Sequence, residues 1–178
     1  QYKSINQLSG KNQFLILDTM NFWMDNNLED LNKVISKVNL ISINDEEAYL
    51  LTKEKSLENC ARKIIKKGPQ YVIIKKGELG AELFSIDEKF SSPAFNVKAI
   101  DPTGAGDTFA GGLAAYLSKT KKVSFDSLKK GLVLGTILAS FTVEGLGTSS
   151  LEKVLIKNIL ERLEIFINKN KIDLNLSI

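Results

Sequence analysis

The stretch Asp101-Pro102-Thr103-Gly104-Ala105-Gly106-Asp107-Thr108-Phe109 gathers the groups needed to hold an anion and to move a proton. Pro102 cannot continue a helix, and it biases Asp101 toward an extended conformation. Gly104 and Gly106 bracket a bend that can reach backbone angles closed to other residues. Beyond Asp107 the apolar residues Phe109, Leu113, Tyr116 and Leu117 recur at three- and four-residue spacings, which predicts a helix to about Ser118. A glycine turn feeding a helix N-terminus points free backbone amides, and the positive end of the helix dipole, at one spot. Asp107 in the same turn can take a proton from an attacking hydroxyl. Donors for phosphate beside a base are the arrangement phosphoryl transfer needs. A plainer reading stands next to this one: a glycine-rich loop with Asp107 as a helix N-cap.

Other residues of chemical interest sit at element ends. Asn44 follows the apolar run Leu40-Ile41-Ser42-Ile43 and makes a good helix N-cap, with Glu47 at the capping-box position. Capping alone accounts for both. Lys75 and Lys76 precede Gly77 and Gly80 in a turn between two β runs; either lysine can reach a phosphate, and either can equally stay solvated at a loop edge. Asp18, Thr19, Met20 and Asn21 follow the run Phe14–Leu17, at the end of a strand where open α/β sheets place their ligands. Trp23 reads as core or interface filler. Gly135, Thr136, Ala139 and Ser140 cluster on one predicted helix, as close helix packing would require.

The elements that must position these groups alternate. Strands are predicted at 14–18, 40–43, 71–74 and 81–84, and a short extended excursion at 90–97. Helices are predicted at 27–38, after Asn44, at 56–67 before Gly68-Pro69, after Asp107, from Ser124 to about Val143, and from Leu151 to about Ile167. Residues 1–12 read as a helix end or linker, and the tail from Asn168 as frayed. Strands alternating with helices predict an α/β layered fold with a mostly parallel sheet.

Composition narrows the classes. The chain has 178 residues, 43% hydrophobic and 25% charged, as a globular domain with a real core would. A net charge of +3 from scattered basic residues gives no footprint for nucleic acid. With no histidine, a Ser-His-Asp triad and a histidine-ligated metal are excluded. Cys60 is the one cysteine, so no internal disulfide forms, which fits a reducing, cytoplasmic setting. No apolar run approaches the roughly 20 residues that span a bilayer.

From Asp101 through Ala114 the sequence resembles the C-terminal signature of the ribokinase, or PfkB-type, carbohydrate and nucleoside kinases. Asn44 and Glu47 resemble that family's second motif, in the right order along the chain, and the likeness covers roughly residues 14–165. The resemblance implies a ribokinase-like three-layer sandwich and transfer of the ATP γ-phosphoryl group to a sugar or nucleoside hydroxyl. Asp107 would then be the catalytic base, lying against the acceptor. The backbone of Gly104, Ala105 and Gly106 would form the anion hole. Glu47 would help hold Mg²⁺, largely through water, with Asn44 near the phosphates. The turn from Gly77 to Gly80 would lie along the nucleotide, with Lys75 standing where relatives carry a small hydroxyl residue and Lys76 beside it. Thr136 and Ala139 would line the adenine side. Asp101 and Thr103, with the loop Gly145-Leu146-Gly147-Thr148, would surround a monovalent cation such as K⁺. Asn21 would sit near the substrate in a loose counterpart of an Asp-Pro-Asn turn, although Thr19 and Met20 depart from that pattern.

Members of this family are usually longer, with an N-terminal half that carries much of the sugar site and a β lid. Residues 1–178 are therefore expected to be a single domain, the C-terminal nucleotide-binding part, lacking the N-terminal part and lid. Such a piece would stand beside the missing half, another chain or a second copy of itself. Two other classes stay open: an ATP-binding fragment or pseudoenzyme, and a nucleotide-independent interaction module.

Overall fold

The computed structural model describes Ile5, Gln7 and residues 13–174. But for Ile5 and Gln7, the expected helix end or linker at residues 1–12 lies outside the described residues. The chain alternates as expected: β1 (Ile16–Asp18), α1 (Asn21–Asn26), α2 (Leu28–Ile35), β2 (Leu40–Asn44), α3 (Asp45–Thr52), α4 (Leu57–Ile65) and β3 (Tyr71–Lys75). Then follow β4 (Ala81–Phe84), β5 (Lys89–Ser92), α5 (Ala105–Ser118), α6 (Phe125–Thr142) and α7 (Ile156–Asn170). The sheet runs in the order β1-β2-β3-β4-β5. The first three strands are parallel, with Asp18 opposite Ser42, Ser42 opposite Ile73, and Asn44 opposite Lys75. Parallel pairing needs a crossover of about a dozen residues or more. The links into β4 and β5 are turns, closed by Gly80 N donating to the Gly77 carbonyl (3.1 Å) and Ser85 N to the Glu88 carbonyl (2.8 Å).

Two compact units are present: residues up to Lys76 with Glu82–Phe90, and Gly77–Ala81 with Ser91 onward. In the first, Ile41, Ile43, Val72 and Ile74 are fully buried beneath Val34, Ile35, Ala48 and Ile64 from the helices. Such continuous apolar runs are what parallel strands covered by helices require. Trp23 packs partly buried against this core, and Cys60 is buried within it.

In the second unit α5 and α6 approach closely because both carry glycine at the contact. A Cβ built on Gly135 would lie 2.7 Å from the Phe109 carbonyl oxygen, and one on Gly112 would lie 3.0 Å from the Gly135 Cα. The small residues of α6 are therefore first of all packing residues.

Several boundaries depart from expectation. Residues 21–26 form a helix, where a turn was read, and Asn27 at φ −145°, ψ 42° separates it from α2. The final helix begins at Ile156, after a 3-10 turn over Leu151–Lys153, and runs on to Asn170. It stops where Lys171 takes a left-handed conformation with φ 51°. Among the described residues, no helix is long and apolar enough to cross a membrane.

Candidate functional site

In the first unit the carboxyl ends of β1, β2 and β3 bring together Asp18, Thr19, Asn44, Glu47 and Lys75. Asn44 caps α3, its side-chain oxygen accepting from Glu47 N at 2.7 Å, and Glu47 Oε2 accepts from Asn44 N at 3.2 Å. This is the predicted capping box. Glu47 is only 4% exposed, which is unusual for a surface-helix cap. A third bond comes from another element: Thr19 Oγ1 donates to the same Oε2 at 2.9 Å. Lys75 Nζ bonds both oxygens of Asp18, at 2.9 and 3.1 Å, and Thr19 N also donates to Asp18 Oδ1 at 3.0 Å. One connected network therefore runs from Lys75 through Asp18 and Thr19 to Glu47.

Both candidate lysines are engaged. Lys76 Nζ pairs with Glu82 at 2.8 Å, and Glu82 also pairs with Lys89 at 2.9 Å. Burial pushes the Glu82 carboxyl up, but the hydrogen bonds and charges of Lys76 and Lys89 outweigh it and hold it below the usual carboxylate range. Asn21 is the first residue of α1 and is exposed, so it belongs to a helix start and not to a turn at the strand end.

In the second unit the glycine turn is fastened at both sides. Val143, just past α6, accepts from Ile100 N at 2.6 Å and Asp101 N at 3.2 Å. Asp101 Oδ1 then accepts from Thr103 N at 2.9 Å. That bond from the Thr103 backbone, joined by one from its side chain, holds the Asp101 carboxyl below its ordinary range. Gly104 takes φ 81°, ψ −3°, a left-handed conformation that favours glycine, and α5 starts at Ala105. Asp107 is thus the third residue inside the helix, where N-cap or pre-helix placement was read. Its exposed carboxylate lies in the first turn, at the favourable end of the helix dipole.

The first-turn amides divide. Ala105 N donates to the Pro102 carbonyl at 3.2 Å, and Thr108 N to the Gly104 carbonyl at 2.9 Å. Among the described residues, the amides of Gly104, Gly106 and Asp107 have no acceptor. Free donors and a carboxylate therefore share one helical turn, with the Ala105 amide drawn back into the turn itself. Thr108 Oγ1 accepts from Thr142 Oγ1 at 2.8 Å, which ties the start of α5 to the end of α6.

The remaining candidates have clear surroundings. Gly77 (φ 54°) faces open space, whereas a Cβ on Gly80 (φ 92°) would collide with the Ser92 and Pro93 backbone. Thr136 is buried and its hydroxyl donates to the Leu132 carbonyl at 2.9 Å, while Ala139 is half-buried. Among the described residues no three acidic or cysteine side chains converge on a possible metal position.

Arg162 escaped sequence reasoning. Its guanidinium lies 3.6 Å from the Phe141 ring centroid and 4.9 Å from that of Phe95. It also donates to Ser140 Oγ and pairs with Glu144, both at 2.9 Å. An arginine in a chain whose basic residues are nearly all lysine was the available signal, since stacking and forked pairing favour arginine. The cavity of about 280 Å³ beside it is bordered by Phe95, Phe141 and Ile165 and lies along α7, not at the glycine turn.

Comparison with known proteins identifies the family and the fold. The model of the family described as pfkB family carbohydrate kinase matches residues 4–154. A ribokinase from Staphylococcus aureus is 31% identical over 124 residues, 67% of this chain and 40% of its own length. An inositol 3-kinase from Arabidopsis thaliana is 25% identical over 131 residues, 74% of this chain and 33% of its own length. Among solved structures, a fructokinase from Vibrio cholerae with fructose, ADP and calcium bound superposes with a TM-score of 0.81 at 19% identity, over 91% of this chain and 54% of that one. The chain thus spans 33% and 40% of these two curated relatives' lengths and about half of the structural one's. On the strength of the family match over most of its length, this chain belongs to the pfkB family of carbohydrate kinases.

Proposed function

We propose that this chain is the nucleotide-binding part of a kinase that transfers the γ-phosphoryl group of ATP to a hydroxyl of a sugar or nucleoside. The observation that carries the reading is the start of α5: three amides without acceptors and one exposed carboxylate in a single helical turn. Phosphoryl transfer is mostly positioning and charge stabilisation, so little more than this is asked of the protein. The amides of Gly104 and Gly106, joined by that of Asp107, stabilise charge on the moving phosphoryl group. Ala105 shapes the turn. The Asp107 carboxylate accepts the proton of the acceptor hydroxyl as oxygen attacks phosphorus, and ADP leaves.

Mg²⁺ suits the oxygen donors present. It keeps several waters and needs few direct ligands. Glu47 would hold it through water, with Asn44 near the phosphates, and the ion would supply charge neutralisation there. Lys75, Lys76 and the Gly77–Gly80 turn would lie along the nucleotide, with Ala139 and Thr136 toward the adenine. Asp101 and Thr103 would border a monovalent cation. Asn21 is retained only as a candidate acceptor contact.

The acceptor class follows the relatives, whose names give ribose, inositol and fructose as substrates of those proteins. The test is the purified protein with ATP, Mg²⁺ and a panel of sugars, polyols and nucleosides, reading ADP release. Acceptor-dependent release is expected from a preparation that includes whatever completes the acceptor site. From residues 1–178 alone we expect ATP binding without acceptor phosphorylation. Failure to bind ATP in every preparation would refute the reading.

A further inference from the structure

We propose that Thr19 is a positioning residue for the Glu47 carboxylate, fixing one oxygen so that the other is presented to the magnesium–nucleotide. This rests on the function proposed above. The capping box itself needs Asn44 and Glu47 and nothing else. Here Glu47 Oε2 takes a further bond, from a hydroxyl 28 residues away at the end of β1. A carboxylate oxygen that accepts from both Thr19 Oγ1 and Asn44 N has little freedom to rotate. Oε1 has no partner among the described residues. A nearly buried carboxylate is thus clamped by one oxygen while the other is left unbonded, as an acceptor for the ordered waters of a hydrated cation would be.

Thr19 is held in turn. Its amide donates to Asp18 Oδ1, and Asp18 is fixed by Lys75. The hydroxyl is therefore aimed at Glu47 before any ligand arrives.

The test measures ATP binding by calorimetry at a series of Mg²⁺ concentrations, well below the melting temperature. Thr19→Val keeps the shape and removes the donor. We expect it to raise the Mg²⁺ concentration for half-maximal binding about tenfold, the lower end of what losing such a supporting partner costs. Thr19→Ser restores the hydroxyl and should restore the wild-type requirement, which a merely structural role for the threonine methyl would not do. Thr19→Ala serves in place of the valine variant should circular dichroism show the latter unfolded. A folded variant lacking the hydroxyl, yet with the wild-type Mg²⁺ requirement, overturns the proposal. Absence of ATP binding by the wild-type protein overturns the function reading, and the proposal with it.

Discussion

At the carboxyl ends of β1, β2 and β3 most of the polar groups are already partnered, Glu47 Oε1 excepted, whereas at the start of α5 the groups of greatest chemical interest are free. Lys75 is on Asp18, Lys76 is on Glu82, and Glu47 Oε2 has two donors. Gly104, Gly106 and Asp107 present amides with no acceptor among the described residues. The difference has a physical cause. Side chains at a parallel strand end are long enough to find one another across the sheet, and burial penalises any that do not. Amides at a helix N-terminus cannot move to find partners; they stay open unless a cap or ligand fills them. In the proposed function, partnered groups would set positions in advance and open groups would do the binding, which is the preorganisation that makes electrostatic stabilisation effective.

The sharpest way to break this contrast is at the open side. Asp107→Asn keeps the shape and removes the proton acceptor. Turnover of the active protein should fall about 100-fold or more, the usual scale for losing a general base, while ATP affinity changes little. Steady-state kinetics alongside ATP calorimetry checks both, and near-normal turnover would show that the carboxylate only favours the helix dipole. Next in size is the scaffold of the turn. Gly135→Ala forces a Cβ to 2.7 Å from the Phe109 carbonyl oxygen, and overpacking of this kind costs about 1–3 kcal/mol. A lowered melting midpoint in chemical denaturation is the expected result.

Glu47→Gln probes the partnered side. Glutamine can still accept from Thr19 and Asn44, so the cap survives while the charge goes. We expect a Mg²⁺ requirement raised about tenfold and a nearly unchanged melting temperature; the opposite pattern would return Glu47 to a pure capping role. The smallest effect concerns Glu82. Its lowered carboxyl pKa means that its stabilising contribution is present above the ordinary glutamate value, about 4.3, and is lost as pH falls through the lowered folded value. Glu82→Gln should therefore lose less melting temperature than wild type between pH 5 and pH 3, roughly the window below ordinary carboxylate values.

Much of this was legible in the sequence, for local reasons. Asn44 with Glu47, and Ser124, announced helix starts, and each accepts the expected backbone amide. The run Tyr71–Ile74 read as a strand, and Gly104 as part of a bend. What was not legible depends on contacts between distant residues. The Thr19 bond to Glu47 and the Asp18 bond to Lys75 span 28 and 57 residues, and no local pattern encodes them. Thr19 showed in the sequence only as a departure from the family pattern, and the structure gives that departure a partner. Arg162 was hidden similarly, its four contacts coming from two other segments. The helix over Asn21–Asn26 was missed because it is a single short amphipathic stretch with only Met24 fully buried. The start of α5 at Ala105 was missed because two flanking glycines mask helical periodicity.

If α5 works as proposed, the open amides of the glycine turn receive the phosphate. Backbone amide NMR on ¹⁵N-labelled protein, titrated with a non-hydrolysable ATP analogue and Mg²⁺, reads those donors directly. We predict saturable shifts for the amides of Gly104, Gly106 and Asp107, larger than that of Ala105, which is already bonded to Pro102. Nucleotide binding that leaves those three amides unmoved while others shift would contradict it.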